Sequence, residues 1–224
     1  MAQSRQQDTQ LGSRVISMSN KTIFGLPRHL ILTLAISLYS IILAVFFPSI
    51  SRTLIAIAML ISSLGDIVLM DFKPIVRYLP FKGFVAGAIV FMVSHLFYIA
   101  AFGYSIYINE YTYFNIGVII AILLFVAVVI SMTLISLIRH SQGIKLLLPG
   151  ILYVAIICAN CSNICSYYFS HRGIAICSMV GIISFLISDY FIVLRSVCGI
   201  KSKVLQKLIW IFYPIGQILL ITGA

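Results

Sequence analysis

Seven apolar stretches alternate with short polar connections along the chain, over about 29–48, 52–70, 83–103, 114–138, 146–168, 173–194 and 208–223. A helix rises about 1.5 Å per residue, so roughly 20 apolar residues cross the hydrocarbon of a bilayer. Pro27, Pro48, Pro74 and Pro80 fall at or near the ends of the stretches, where a missing backbone donor costs least. No internal repeat or low-complexity segment interrupts the pattern. The pattern predicts an all-α polytopic transmembrane bundle of seven spans, with residues 29–224 as one membrane domain. Residues 1–28 are polar and lack an apolar core, which predicts a short disordered tail and no signal peptide.

Composition agrees with the pattern. The chain has 224 residues, 62% hydrophobic and 9% charged, too apolar for a soluble domain to cover its surface with polar groups. The formal charge of +10 does not point to nucleic acid, because the basic residues sit between apolar spans and read as interface anchors. They also orient the bundle. With the amino terminus in the cytoplasm, all of the 15 Lys and Arg residues except Arg52 and Arg172 fall on the cytoplasmic side. The 104–114 segment YSIYINEYTYF has no basic residue and is rich in Tyr, as an outer aromatic belt should be. The sequon Asn20-Lys21-Thr22 then faces the cytoplasm and stays unmodified; a glycan there would reverse the orientation. Whether the membrane is the endoplasmic reticulum or the plasma membrane is not encoded.

Five acidic residues are present, and two of them, Asp66 and Asp189, lie inside apolar runs, ISSLGDIVLM and ISFLISDYFIVL. A charged residue at a helix centre costs about 2.5–3.5 kcal/mol on insertion scales, so such positions mark function and call for partners on other spans. Helical rise places Asp66, Asp189 and Tyr213 roughly 8–9 Å below the cytoplasmic boundary and Tyr153 roughly 12 Å below it. Four polar groups on four spans therefore share one depth band and predict a cavity open to the cytoplasmic leaflet. Gln217 follows Tyr213 by four residues on the same helix face, and His95 and Tyr98 share a face nearer the midplane. The plainer roles are snorkelling for the aspartates, or hydrogen bonding to Ser62, Ser63 or a neighbouring helix, with interhelical bonding for Gln217 and packing for His95, Tyr153 and Tyr213. Ser188 adjoins Asp189 but points about 100° away, so the two are no nucleophile–base pair.

Cys158, Cys161 and Cys165 fall at i, i+3 and i+7, and with Cys177 and Cys198 they read as small packing residues. No zinc-ligand spacing accompanies them. The chain has no G-x-S-x-G, H-E-x-x-H, P-loop or G-x-G-x-x-G, which argues against serine hydrolases and nucleotide enzymes. Carboxyl chemistry remains. Two carboxyls side by side in a low-dielectric pocket differentiate, one holding a proton as an acid while the other orients water or stabilises a cation.

Three blocks carry a family resemblance: SLGDIVLM at 63–70 with FKGFVAGAIVFMVSHLFYIAAF at 81–102, GIISFLISDYFIVL at 181–194, and FYPIGQILLITGA at 212–224. Their G-D, F-x-x-G, H-x-x-Y, S-D and Y-x-x-x-Q patterns, in this order, resemble the lysoplasmalogenase family of multi-span membrane hydrolases. LPGILYV at 148–154 fits the family's Pro-then-Tyr helix more loosely. Family members usually read as eight spans, whereas seven are legible here. The resemblance implies hydrolysis of the vinyl ether of a lysoplasmalogen to a fatty aldehyde and a glycerophospho-ethanolamine or -choline. Asp66 and Asp189 would be the catalytic acid and base, in either assignment. His95, Tyr98, Tyr153, Tyr213 and Gln217 would bind substrate and position water. Lys73, Arg77, Lys82, Arg139 and Lys145 would meet the head-group phosphate at the rim. The expected partners are a lysophospholipid and the bilayer, with no cofactor, nucleic acid or protein.

A proton-coupled transporter using the same two carboxyls is the alternative, although no inverted repeat or broken pair of spans supports it. A non-catalytic scaffold would keep its function when both carboxyls are neutralised. A metal-dependent hydrolase using His95, Asp66 and Asp189 as ligands matches a catalytic zinc site poorly.

Overall fold

The computed structural model describes residues 22–23, 26–69, 78, 84–108, 114–138, 144–196, 199–200 and 202–224. A two-residue antiparallel ladder pairs Thr22 with Pro27 and Ile23 with Leu26. Among the described residues seven helices follow: α1 (Arg28–Phe46), α2 (Ile50–Leu69), α3 (Phe84–Ile108), α4 (Phe114–Ile138), α5 (Ile144–His171), α6 (Ala175–Ser196) and α7 (Lys203–Thr222). All seven are long and apolar enough to cross a membrane, as the sequence pattern predicts, and the chain is a multi-pass membrane protein. The ladder gives the end of the polar 1–28 segment a defined pairing; the rest of that segment, with Asn20, lies outside the described residues.

Several helices outrun the apolar stretches. Hydropathy marks where side chains meet water, whereas a helix ends where its backbone hydrogen bonds end. α7 begins at Lys203, five residues before the apolar run, because the Ser202 hydroxyl accepts the Val204 and Leu205 amides. α5 continues to His171, and the turn into α6 is made by Arg172 and Gly173, at φ 50° and 52°. α3 absorbs residues 104–108, the first part of the Tyr-rich segment.

The helices alternate in direction. α1 packs on α2, α2 on α3, α3 on α5, α5 on α6 and α6 on α7, and α7 returns to α1. α4 packs outside this ring, on α5 and more lightly on α6. That is why α4 carries the most uniformly apolar sequence: Ile119, Ile122, Leu123, Val126 and Leu134 point outward and need no polar partner. The ring is filled by Met59, Phe102, Ile164, Ile182 and Leu220. Cys161 and Cys165 belong to this core, 3.8 Å apart, while Cys158 faces α4.

Between apolar helices in lipid, association depends on close packing and hydrogen bonds. Serines stitch α1, α2 and α3. Ser37 pairs with Ser63 at 2.6 Å and donates to the Met59 carbonyl, and Ser94 pairs with Ser62 at 2.7 Å and donates to the Ala58 carbonyl. Neither Ser62 nor Ser63 is hydrogen-bonded to Asp66; the partners of that carboxyl come from other helices, Thr33 of α1 and Tyr213 of α7.

α6 and α7 meet backbone to backbone. A Cβ on Gly216 would lie 2.9 Å from the Phe185 nitrogen and 3.0 Å from the Gly181 carbonyl oxygen. An ordinary Gly→Ala change in a helix gains about 1 kcal/mol from propensity. Here overpacking opposes it at roughly 1–3 kcal/mol. Gly216→Ala is therefore expected to lower the unfolding midpoint of the protein in detergent. A midpoint above that of the wild type would show that the helices have room to part.

Candidate active site

Five helices each bring one polar side chain to a common buried point. α2 supplies Asp66, α3 His95, α5 Tyr153, α6 Asp189 and α7 Tyr213. Asp66 and Asp189 are 5% and 3% exposed, so neither carboxyl faces lipid. The Tyr213 hydroxyl donates to Asp66 Oδ2 at 2.9 Å, and the Tyr153 hydroxyl donates to Asp189 Oδ2 at 2.6 Å. Both tyrosines sense both carboxyls electrostatically, and the two carboxyls sense each other. The result is a pair of Tyr–Asp couples within electrostatic range of each other.

The two couples sit among rings. Phe91 meets Tyr213 edge-on at 6.2 Å, and Phe185 lies 5.3 Å from Tyr213 and 5.0 Å from His95. Ile157 and Leu186 complete this apolar cluster. Water is scarce in such surroundings, so charges and dipoles act at nearly full strength.

His95 lies closer to the carboxyls than its depth along the helix suggests. Its Nε2 is 3.9 Å from Asp189 Oδ2, too long for a hydrogen bond but within reach of one after a small closure. Helical rise gives height along the axis; it omits the length of the side chain and its direction around the helix. Tyr98 goes elsewhere. Its hydroxyl meets the Met59 sulfur at 2.6 Å, its ring lies 6.0 Å from that of His95, and it packs in the central core. Gln217 is fully buried one turn beyond Tyr213, and neither of its amide atoms has a partner among the described residues. Ser188 turns away from Asp189 and its hydroxyl points to the Ile209 carbonyl at 3.5 Å.

Two polar neighbours were not singled out from the sequence. Thr33, fully buried on α1, is a hydrogen-bond partner of Asp66. Asn160, fully buried on α5, places its Nδ2 3.3 Å from His95 Nδ1. It follows Tyr153 by seven residues, two turns along the same face, and that spacing could have marked it.

Trp210, one turn before Tyr213 on α7, stacks on His29 of α1 at 3.5 Å and meets Tyr213 edge-on at 6.4 Å. Pro214 withdraws one helical donor beside this point. Two cavities lie away from the carboxyls. One, of about 360 Å³, is lined by Arg52, Tyr104, Tyr167 and Ala224 at the opposite end of the bundle. The other, of about 370 Å³, is an apolar groove between α3, α4 and α5. The proposed phosphate contacts Lys73, Arg77, Lys82 and Arg139 lie outside the described residues, as does the side chain of Lys145. Among the described residues, no three His, Cys, Asp or Glu side chains are grouped to hold a metal ion.

No curated protein and no solved structure matches the chain. One family does match, over residues 29–224, a range that contains all seven helices but for the first residue of α1, and every residue of the carboxyl cluster. The chain belongs to the YhhN family, which includes lysoplasmalogenases.

Proposed function

We propose that the protein hydrolyses the vinyl ether bond of lysoplasmalogens within the membrane, using Asp66 and Asp189 as its acid–base pair. The observation that carries this reading is two buried carboxyls within electrostatic range of each other, each hydrogen-bonded by its own tyrosine, the two tyrosines belonging to one apolar cluster. Membership of a family that includes lysoplasmalogenases supports it.

The chemistry needs one acid and one carboxylate. Asp189 faces a short Tyr153 hydroxyl bond and the His95 ring, and is the carboxylate. Asp66, with the longer bond to Tyr213, a second hydroxyl partner in Thr33 and no imidazole beside it, is assigned as the acid. Asp66 protonates the β-carbon of the vinyl ether, and the α-carbon becomes an oxocarbenium ion. Asp189 removes a proton from water as the water oxygen bonds to that α-carbon, giving a hemiacetal. The hemiacetal hydroxyl then returns its proton to Asp66, Asp189 delivers its proton to the glycerol oxygen, and the C–O bond breaks. The aldehyde and the glycerophospholipid head leave with both carboxyls restored. A glycosidase stabilises a related cation with a similar pair.

The lipid chain lies along the apolar helices, with the head group at the cytoplasmic rim, where the basic residues concentrate. Gln217, buried one turn from Tyr213, is suited to a glycerol oxygen.

The test is mass spectrometry of the purified protein incubated with alkenyl, alkyl and acyl lysolipids bearing ethanolamine or choline. Aldehyde release from the alkenyl substrates alone is expected, because only a vinyl ether can be cleaved by protonation at carbon. Fatty acid release from the acyl substrates, or no turnover of any substrate, would overturn the reading. Proton-coupled solute uptake without turnover would favour the transporter.

A further inference from the structure

The geometry points to Asn160 as a positioning residue that fixes the tautomer of His95, so that a ring N–H is aimed at Asp189. This inference rests on the hydrolase reading only for its effect on rate; the tautomer is a property of the protein itself.

An amide nitrogen can only donate. With the amide oriented so that Asn160 Nδ2 lies 3.3 Å from His95 Nδ1, and Oδ1 without a partner among the described residues, the ring nitrogen accepts and a neutral ring carries its proton on Nε2. Nε2 is the atom 3.9 Å from Asp189 Oδ2, and it has no hydrogen-bond partner among the described residues. The ring has little freedom to turn. Phe185 meets it edge-on at 5.0 Å, and Tyr98 and Tyr153 flank it at 6.0 Å each. Its two nitrogens are thus its only polar features, one held by α5 and the other directed at α6.

With the opposite tautomer, a bare lone pair would face the Asp189 oxygen and repel it. With the tautomer that Asn160 imposes, His95 adds a second donor beside Tyr153 and holds the charge that the oxocarbenium ion requires opposite it. The 3.9 Å gap closes to a hydrogen bond as substrate excludes the remaining freedom of the site. Asn160 touches neither carboxyl, so its whole effect passes through the imidazole.

A plain interhelical role for Asn160, tying α5 to α3, makes different predictions. Asn160→Asp and Asn160→Leu separate the two. The Asp variant keeps a hydrogen bond to His95 but can accept from Nδ1–H, which reverses the tautomer. The Leu variant removes the bond. Nitrogen NMR of imidazole-labelled protein, with the His95 signal identified by its loss in His95→Gln among the four histidines, reads the tautomer directly and without substrate. We expect Nε2–H in the wild type, Nδ1–H in Asn160→Asp and a mixture in Asn160→Leu. Aldehyde release by folded protein should fall about 10- to 100-fold in kcat in both variants, with KM nearly unchanged. An Nδ1–H signal in the wild type, or a wild-type kcat in Asn160→Leu, would overturn the inference. If the lysolipids were not turned over at all while the tautomers behaved as expected, the hydrolase reading would fall and the positioning role would stand.

Discussion

Asp66→Asn and Asp189→Asn are each expected to reduce kcat for aldehyde release by about 10²- to 10⁴-fold, the range over which a positioned acid or base accelerates proton transfer. The substitution is close to isosteric. The amide oxygen that replaces a carboxylate oxygen can still accept a tyrosine hydroxyl, from Tyr213 in the first variant and from Tyr153 in the second. The hydrogen bonds that now measure 2.9 and 2.6 Å therefore have a ready replacement. Asp189→Asn also removes the desolvation penalty of a buried carboxylate, and Asp66→Asn exchanges one neutral group for another, so neither variant should unfold sooner than the wild type. Loss of activity with stability retained is therefore the signature of a chemical role. The double variant should be no slower than the worse single one, because an acid and a base that act on one bond fail as a unit. Aldehyde release at saturating substrate, read beside the unfolding midpoint, checks all of this. Full activity in either single variant removes that carboxyl from the mechanism. Equal loss of activity and stability would instead return the pair to a structural role.

The two aspartates could be found from the sequence because a carboxyl in an apolar run is rare and costly. Their convergence was also legible, since depth below the boundary follows from helical rise and puts Asp66, Asp189, Tyr153 and Tyr213 in one band. What depth omits is direction around the helix. Height alone therefore sets His95 too deep, although its ring reaches toward Asp189, and Tyr98 shares its face by spacing but bonds to Met59 instead. Asn160 carries a signal of its own, a polar residue in an apolar run seven positions after Tyr153, but nothing in the spacing names His95 as its partner. The helix ends beyond the apolar runs depend on capping and turn geometry, at Ser202 and at Arg172–Gly173, to which hydropathy is blind. The close seam at Gly181 and Gly216 is hidden for a related reason. A glycine in a transmembrane run reads equally as tolerance or as contact until the opposing backbone is known.

Replacing the tyrosines should separate the two carboxyls. Tyr153→Phe keeps the ring beside His95 and removes only the hydroxyl that Asp189 accepts. Tyr213→Phe does the same at Asp66. A hydrogen bond to a charged group is worth about 1.5–3 kcal/mol. If Asp189 is the carboxylate, losing its tyrosine reduces kcat by about 10- to 100-fold, since about 1.36 kcal/mol is one decade in rate. The bond to Asp66 joins a neutral acid and should matter less, about 1 kcal/mol or a few-fold. A double-mutant cycle fixes the cause. In an Asp189→Asn background the acceptor is already neutral, so Tyr153→Phe should add little further loss, whereas two independent sites would simply add. The check is kcat for the two single variants and for the Asp189→Asn combination, measured on the same alkenyl lysolipid. A larger loss in Tyr213→Phe than in Tyr153→Phe would exchange the roles of the two carboxyls, and additivity in the cycle would show that the 2.6 Å bond does not act through the charge on Asp189.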